Sequence, residues 1–392
     1  MSVFVSLIAL ATAALACQVP VFRFALERWV ADAYQVSIAP GASGKFSAEE
    51  QAAVDFLKSQ EPDRLSPMET GVFANLDVEV SETPAEGAAG GATMTVTYPQ
   101  KIRGFQLKPI WEGPLTMENA RLLIDSPARR ELVKRLLAGQ SAIWVLIESG
   151  DPETDDAAAD TVAAAAGKAK ETLRIPDGVM TRQEAESAEN FAAVNADDVL
   201  RSEVPLKIDF SVLRIGRNDP AEALFLPMVL NIEDDLSQFE KETMVFPVFG
   251  RGRLLEPLIG RGIHADNVIE YGAYICGACS CEVKDQNPGV DLLFTADWDA
   301  ALHGSEVVID KILPPLEGTG ILAQAASVEE NGKAGDSTEP VSSPAETAPA
   351  ETEVSDGIPR SSVTVLSLIG LASALVVILG LGTYFILRRK TP

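Results

Sequence analysis

Cys276-Gly-Ala-Cys279-Ser-Cys281 is the densest group of chemically capable side chains in this sequence, and Cys17 is the fourth cysteine. Three thiols so close together could build a structural disulfide, exchange with a partner's thiols, or hold a soft metal such as copper(I) or zinc. A reactive CxxC sits where a strand meets a helix N-terminus, because that end of the dipole favours the thiolate. Here the order is reversed: a helix over 266–276 ends at Cys276, stopped by Gly277, and Cys279 and Cys281 enter a strand. Cys279 and Cys281 share one strand face, so a direct bond between them is strained. The pattern predicts a structural disulfide, Cys276 to Cys279 or one reaching Cys17. Thiol–disulfide exchange and soft-metal handling through Cys276, Cys279 and Cys281 are the alternatives. No paired His completes a metal site, and none is expected.

The other chemically suggestive groups reduce to simpler readings. Gly250-Arg251-Gly252-Arg253 with Arg261 forms a basic patch in an acidic chain, either a turn with solvated arginines or an anion or partner contact. Ala39-Pro-Gly-Ala-Ser-Gly44-Lys45 is spaced like a phosphate loop. Phe46 stands where Ser or Thr should hold magnesium, so no nucleotide is expected. Asp297-Trp298-Asp299 offers two carboxylates at a strand end, without a partner acid or His. His264 and His303 have no Ser or Cys nucleophile motif beside them. The five carboxylates of 151–160 lack the Gly and terminal Glu of a calcium loop and read as an acidic helix N-terminus. No catalytic residue and no cofactor is assigned, and the chain reads as a non-enzyme more readily than as an enzyme.

Composition sets the class. The chain has 392 residues, with 32 Lys plus Arg against 57 Asp plus Glu, a net charge of −25. Such a surface excludes general nucleic-acid binding. With 46% hydrophobic residues a sizeable core is available.

The ends of the chain predict location. Residues 3–15 form a short apolar run followed by Ala16-Cys17, and Ala14 and Ala16 fit an A-x-A cleavage site, which predicts a signal peptide over 1–16. Residues 363–387 carry no charge over 25 positions, and Arg388-Arg389-Lys390 follows. That is a single transmembrane helix with a cytoplasmic tail, 388–392, and the bulk of the chain outside. Leu15-Ala16-Cys17 resembles a bacterial lipobox. A lipid there would anchor the chain twice and leave an odd cysteine, so an ordinary signal peptide is the preferred reading. Residues 324–362, acidic and rich in Pro, Ser, Thr and Ala, cannot bury enough apolar surface to fold and read as a disordered tether.

Between the ends, strand and helix signals alternate. The first domain is placed at 17–175. It has strands near 34–38, 76–80, 93–98, 105–111 and 142–147, and helices capped by Ser47, Thr116 and Ser126-Pro127. A patternless stretch, 176–203, is read as the interdomain connection. The second domain, 204–323, has strands at 206–215, 244–249 and 290–295. Asp219-Pro220-x-Glu222 reads as its capping box, and the cysteine cluster follows its last long helix. The fold class expected is α/β, with mixed sheets flanked by helices.

Several blocks carry a family resemblance. Cys17-x-Val-Pro-Val-Phe-Arg-x-Ala-Leu-Glu-Arg-Trp29 resembles the mature start of an uncharacterised family of exported bacterial proteins. Residues 142–151, 245–253 and Cys279-Ser-Cys281-x-Val-Lys followed by Asn287-Pro-Gly resemble its later blocks. The family is thioredoxin-like in element order and carries no assigned activity. The resemblance implies export and two tandem thioredoxin-like domains, and it transfers no catalytic residue. The function expected is a bacterial membrane-anchored, extracytoplasmic binding or scaffolding protein. It is held to the membrane by one C-terminal helix and has a protein partner. An extracytoplasmic thiol oxidoreductase or metal-handling protein is the alternative.

Overall fold

The structure is a computed structural model that describes residues 17–62, 71–84, 90–101, 108–188, 194–279 and 283–303. These residues belong to the unit Met1–Ile312. The signal segment 1–16, Cys281, the tether 324–362 and the apolar span 363–387 lie outside the described residues. Among the described residues no helix is long and apolar enough to cross a membrane.

The chain opens with helix α1 (Val21–Arg28), whose Phe22, Phe24, Ala25 and Leu26 are all buried. Strand β1 (Tyr34–Ala39) follows, with Tyr34, Val36 and Ile38 facing inward at period two. Helix α2 (Ala48–Lys58) starts at a full capping box between Ser47 and Glu50. The short β2 (Phe73–Ala74), β3 (Leu76–Val80), β4 (Thr93–Thr97) and β5 (Trp111–Pro114) come next. Two capped helices follow, α3 (Met117–Ile124) on Thr116 and α4 (Pro127–Leu137) on Ser126. Strand β6 (Ala142–Ile147) leads into α5 (Pro152–Thr172) and the short α6 (Arg182–Glu186), then β7 (Phe210–Ile215) and α7 (Phe225–Leu230). The chain continues through β8 (Met244–Phe249), β9 (Arg253–Leu254), β10 (Leu258–Ile259) and α8 (Ala265–Cys276). It ends with β11 (Val290–Asp291), β12 (Thr295–Ala296) and α9 (Trp298–His303).

Two mixed sheets flanked by helices result, as the composition and element order predict. The first has the order β3-β1-β4-β5; β1 and β3 run parallel, joined over α2, while β4 and β5 are antiparallel additions. The second runs β11-β9-β8-β6-β7, with β10 also on β8. Its β6 and β7 are parallel, and β8 and β9 are antiparallel additions. Each sheet therefore has a parallel pair joined through a helix and antiparallel strands on the far side of its first strand, two (β4 and β5) in the first sheet and three in series (β8, β9 and β11) in the second. β2 pairs separately with β12.

The strand pairing runs across the expected connection at 176–203. Ile143 of β6 stands opposite Ser211 of β7 and Val248 of β8, so β6 and α5 belong with the later strands. All six residues of β6 are buried because both faces are covered. Trp144 and Leu146 pack on Ala158, Val162 and Ala165 of α5, while Ile143, Val145 and Ile147 pack on Leu132 of α4 and Phe225 of α7. Residues 176–203 are also no plain connection. Met180 bridges Val199, and α1 holds this stretch through Glu27, which accepts from the backbone amides of Arg201 and Ser202 at 2.9 and 3.0 Å.

Local expectations shift in three further places. The strand predicted near 105–111 is β5, from Trp111 onward, and 102–107 lie outside the described residues. Residues 290–295 make two short strands, because the Phe294 amide turns to Asn75 Oδ1 at 2.8 Å. Asp219 does cap a turn, accepting from the Ala221 amide at 2.9 Å, but Glu222 does not close a capping box. Its side chain is buried and its Oε1 accepts from Ala128 N at 2.7 Å, at the start of α4.

The acidic stretch before α5 has a structural role. Asp155 is buried and accepts from Ser149 N, Ser149 Oγ and Gly150 N at 2.8, 2.9 and 3.1 Å, and from Thr243 Oγ1 at 2.5 Å. Burial alone would raise its pKa, but these hydrogen bonds outweigh burial and hold it below the ordinary carboxylate value. Its contribution is therefore complete above the ordinary carboxylate range and is lost as pH falls through the depressed pKa. Asp155→Ala is expected to cost about 2–3 kcal/mol in urea unfolding at pH 7. The gap from the parent should narrow as pH is lowered below the ordinary carboxylate range and through the depressed pKa; a gap that does not change with pH would refute this role.

Candidate functional site

Cys17, Cys276 and Cys279 come together in one apolar cluster with Val19, Phe22, Phe249 and Ile275, each at most 2% exposed. The chain ends that carry them are paired. Val21 N donates to Gly277 O at 3.0 Å, Cys279 N donates to Val19 O at 3.1 Å, and Pro20 bridges Ala278 in antiparallel sense. The Cys17 thiol donates to Asp197 O at 2.9 Å. Cys276 closes α8, as the sequence predicts, and stands as a free thiol. Burial pushes its pKa up to about 12, against an opposing hydrogen bond with Ser141. Cys281 lies outside the described residues. Among the described residues no group of three His, Cys, Asp or Glu side chains could hold a metal ion.

The arginine patch dissolves into the interior. Gly250 and Gly252 have φ of +60° and +101°. A side chain at Gly252 would meet the Phe294 ring at 2.1 Å, so the Gly-Arg-Gly-Arg pattern marks a tight turn between β8 and β9. Arg251 turns inward, donating from Nε to Leu26 O and from Nη2 to Asp299 Oδ1, both at 2.9 Å. Arg253 donates to Pro288 O, Asn287 O and Asp291 Oδ1 at 3.0, 2.8 and 3.1 Å. The anion contact expected of Arg251 and Arg253 is thereby corrected: both guanidinium groups are buried fasteners. Arg261 stands exposed in the turn 260–262.

The remaining sequence candidates also find structural work. Asp297 opens α9, accepting from Ala300 N at 2.9 Å, so Asp297-Trp298-Asp299 lies at a helix start and not at a strand end. His264 Nδ1 caps α8 by accepting from Asp266 N at 3.3 Å.

Two interior charge clusters escaped the sequence reading. Arg23 and Glu27 pair at 2.8 Å inside α1, with both side chains at 0% exposure. Asp291 joins Arg253, Lys284 and the Asp32 amide, and Lys284 Nζ also reaches Asp32 Oδ2 at 3.0 Å. The i,i+4 spacing of Arg23 and Glu27 was a legible signal; nothing local marks Asp291. Two of the cavities among the described residues adjoin residues named above. One of about 240 Å³ is lined by Val30, Phe73, Asn75, Arg251, Phe294 and Trp298 among others. The other, about 210 Å³, lies beside α4. No family model, curated protein or solved structure matches this chain.

Proposed function

We propose that the chain is a bacterial membrane-anchored, extracytoplasmic binding or scaffolding protein. Its two sheets are read as tandem thioredoxin-like units, and the tether and C-terminal span hold them at the membrane. The parallel, helix-joined pair in each sheet supports the tandem reading, with the division moved ahead of α4, whose Leu132 packs with β6. The observation that carries the function is the setting of Cys276. A thiol-exchange enzyme needs an accessible thiolate of low pKa. Cys276 is buried at a helix C-terminus with its pKa pushed up to about 12. The cysteines are read as structural, since Cys17, Cys276 and Cys279 are gathered in one buried apolar cluster.

The test uses intact membrane vesicles carrying the full chain. External protease should degrade residues 17–362. Iodoacetamide at pH 8 should leave Cys276 unmodified until denaturant is added, since only about one thiol in ten thousand is ionised four pH units below its pKa. Rapid alkylation of Cys276 in the native protein, or turnover of a disulfide substrate, would overturn the reading in favour of the oxidoreductase.

A further inference from the structure

The cavity beside α4 carries an unusual charge balance. Helix α4 sends Arg129, Arg130, Val133 and Lys134 to its wall, and Ile124, Asp125 and Thr295 close it. Three of these side chains are cationic and one is acidic, in a protein whose net charge is −25. Asp125 is already paired with Arg130. Lys134 reaches Glu131 at 3.3 Å, but Glu131 also holds Arg135 Nε at 2.8 Å, and the lysine is 75% exposed. The Thr295 hydroxyl donates to Ile124 O at 2.7 Å and has no proton left to offer.

Arg129 is the decisive residue. It is 2% exposed, yet among the described residues no carboxylate lies within ion-pair distance of it. Nη1 donates to Leu122 O at 2.9 Å, Nη2 reaches only the Met228 sulfur at 3.4 Å, and the guanidinium lies 5.0 Å from the centroid of the Phe225 ring. Nε is buried without any hydrogen-bond partner. A buried cation is ordinarily matched by a buried anion, because desolvation without a partner is costly. Glu222 acts on Arg129 through space, but it spends one oxygen on Ala128 N, and its other oxygen is likewise without a hydrogen-bond partner.

We infer that this cavity is a binding site for a phosphoryl oxyanion, the free phosphate ion or a small phosphate monoester. Arg129 supplies the buried charge, and Arg130 and Lys134 close over the ligand from the rim. Arg129 Nε is the donor left for a ligand, and a phosphoryl group, with several oxygens to share among Arg129, Arg130 and Lys134, suits this wall better than a single carboxylate. The apolar flanks from Ile124 and Val133 suit a short organic substituent. The site stands whether or not the chain is tethered or its cysteines are structural, so its test is separate from that of the preceding proposal.

The experiment is titration calorimetry of the detergent-solubilised full chain with inorganic phosphate, glycerol 3-phosphate and acetate at constant ionic strength. Saturable binding of phosphate is expected, with acetate silent and affinity falling as chloride is raised. Tighter binding of glycerol 3-phosphate would identify a monoester as the ligand; equal or weaker binding would identify the free ion. Arg130→Gln combined with Lys134→Gln, both on the rim, should weaken phosphate about tenfold or more while leaving the unfolding midpoint close to that of the parent. Glu222→Gln keeps the acceptor for Ala128 N, removes the opposing charge and should tighten binding several-fold. Arg129→Met should abolish it. No saturable phosphate binding, or binding unchanged in the rim variant, would overturn the proposal.

Discussion

Replacing Asp291 with alanine is expected to destabilise the fold by about 3–5 kcal/mol, because it breaks a buried pair and leaves Arg253 without its carboxylate. Asp291 is 4% exposed. Its Oδ1 accepts from Arg253 Nη1 at 3.1 Å, and its Oδ2 takes the Asp32 amide at 2.8 Å together with Lys284 Nζ. Its carbonyl accepts from the Tyr34 hydroxyl at 2.9 Å. Burial, and then the Asp291 charge, push the Tyr34 pKa up, so the phenol remains a protonated donor across the accessible pH range. One side chain thus joins β11 to β9 and to the chain just ahead of β1. Urea unfolding at pH 7 checks the prediction, with Asp291→Asn as the milder comparison. A loss below about 1 kcal/mol for the alanine variant, the scale of a surface pair, would mean that this network is not a fastener.

Glu27→Ala is the second large effect, again about 3–5 kcal/mol. Glu27 is paired with Arg23 at 2.8 Å and with Arg28 at 3.3 Å, and it accepts from Arg201 N, Ser202 N and Ser202 Oγ within 3.0 Å. Arg23 donates in turn to Ser202 O at 2.9 Å, and Arg28 to Val199 O at 2.8 Å. Burial lowers the Arg23 pKa and Glu27 opposes that shift, so removing the carboxylate leaves a buried cation without its charge partner. The consequence beyond stability is local. Residues 194–203 lose the acceptor that holds their amides and should be cut faster by protease under native conditions, ahead of global unfolding. Unchanged cleavage in that stretch would show that the segment is secured by other contacts.

The sequence by itself determined what short-range chemistry controls. Ser47, Thr116 and Ser126 mark helix starts because a cap is an interaction over three residues, and each accepts from the expected amide. The apolar run of β6 declares a strand covered on both faces, and Gly277 stops α8 at Cys276 as read. Class follows as well: two mixed sheets with helices packed on them. Tertiary structure decided the rest, because the partners lie far apart along the chain. Which sheet β6 joins depends on Ser211 and Val248, and the order of elements alone set the division too late. Whether an arginine faces water or the core depends on acceptors that no local pattern reveals. Arg251 finds Leu26 O at a separation of 225 residues, and Arg253 finds the carbonyls of 287 and 288, so a patch that reads as an anion contact becomes two fasteners. Arg129 shows the converse. In sequence it is one base in an amphipathic helix, and only packing against Phe225 and Met228 leaves it buried with its Nε unpartnered. Capping and periodicity are local energies that a sequence displays directly; desolvation is set by everything that packs around a group, and that exists only once the chain has folded.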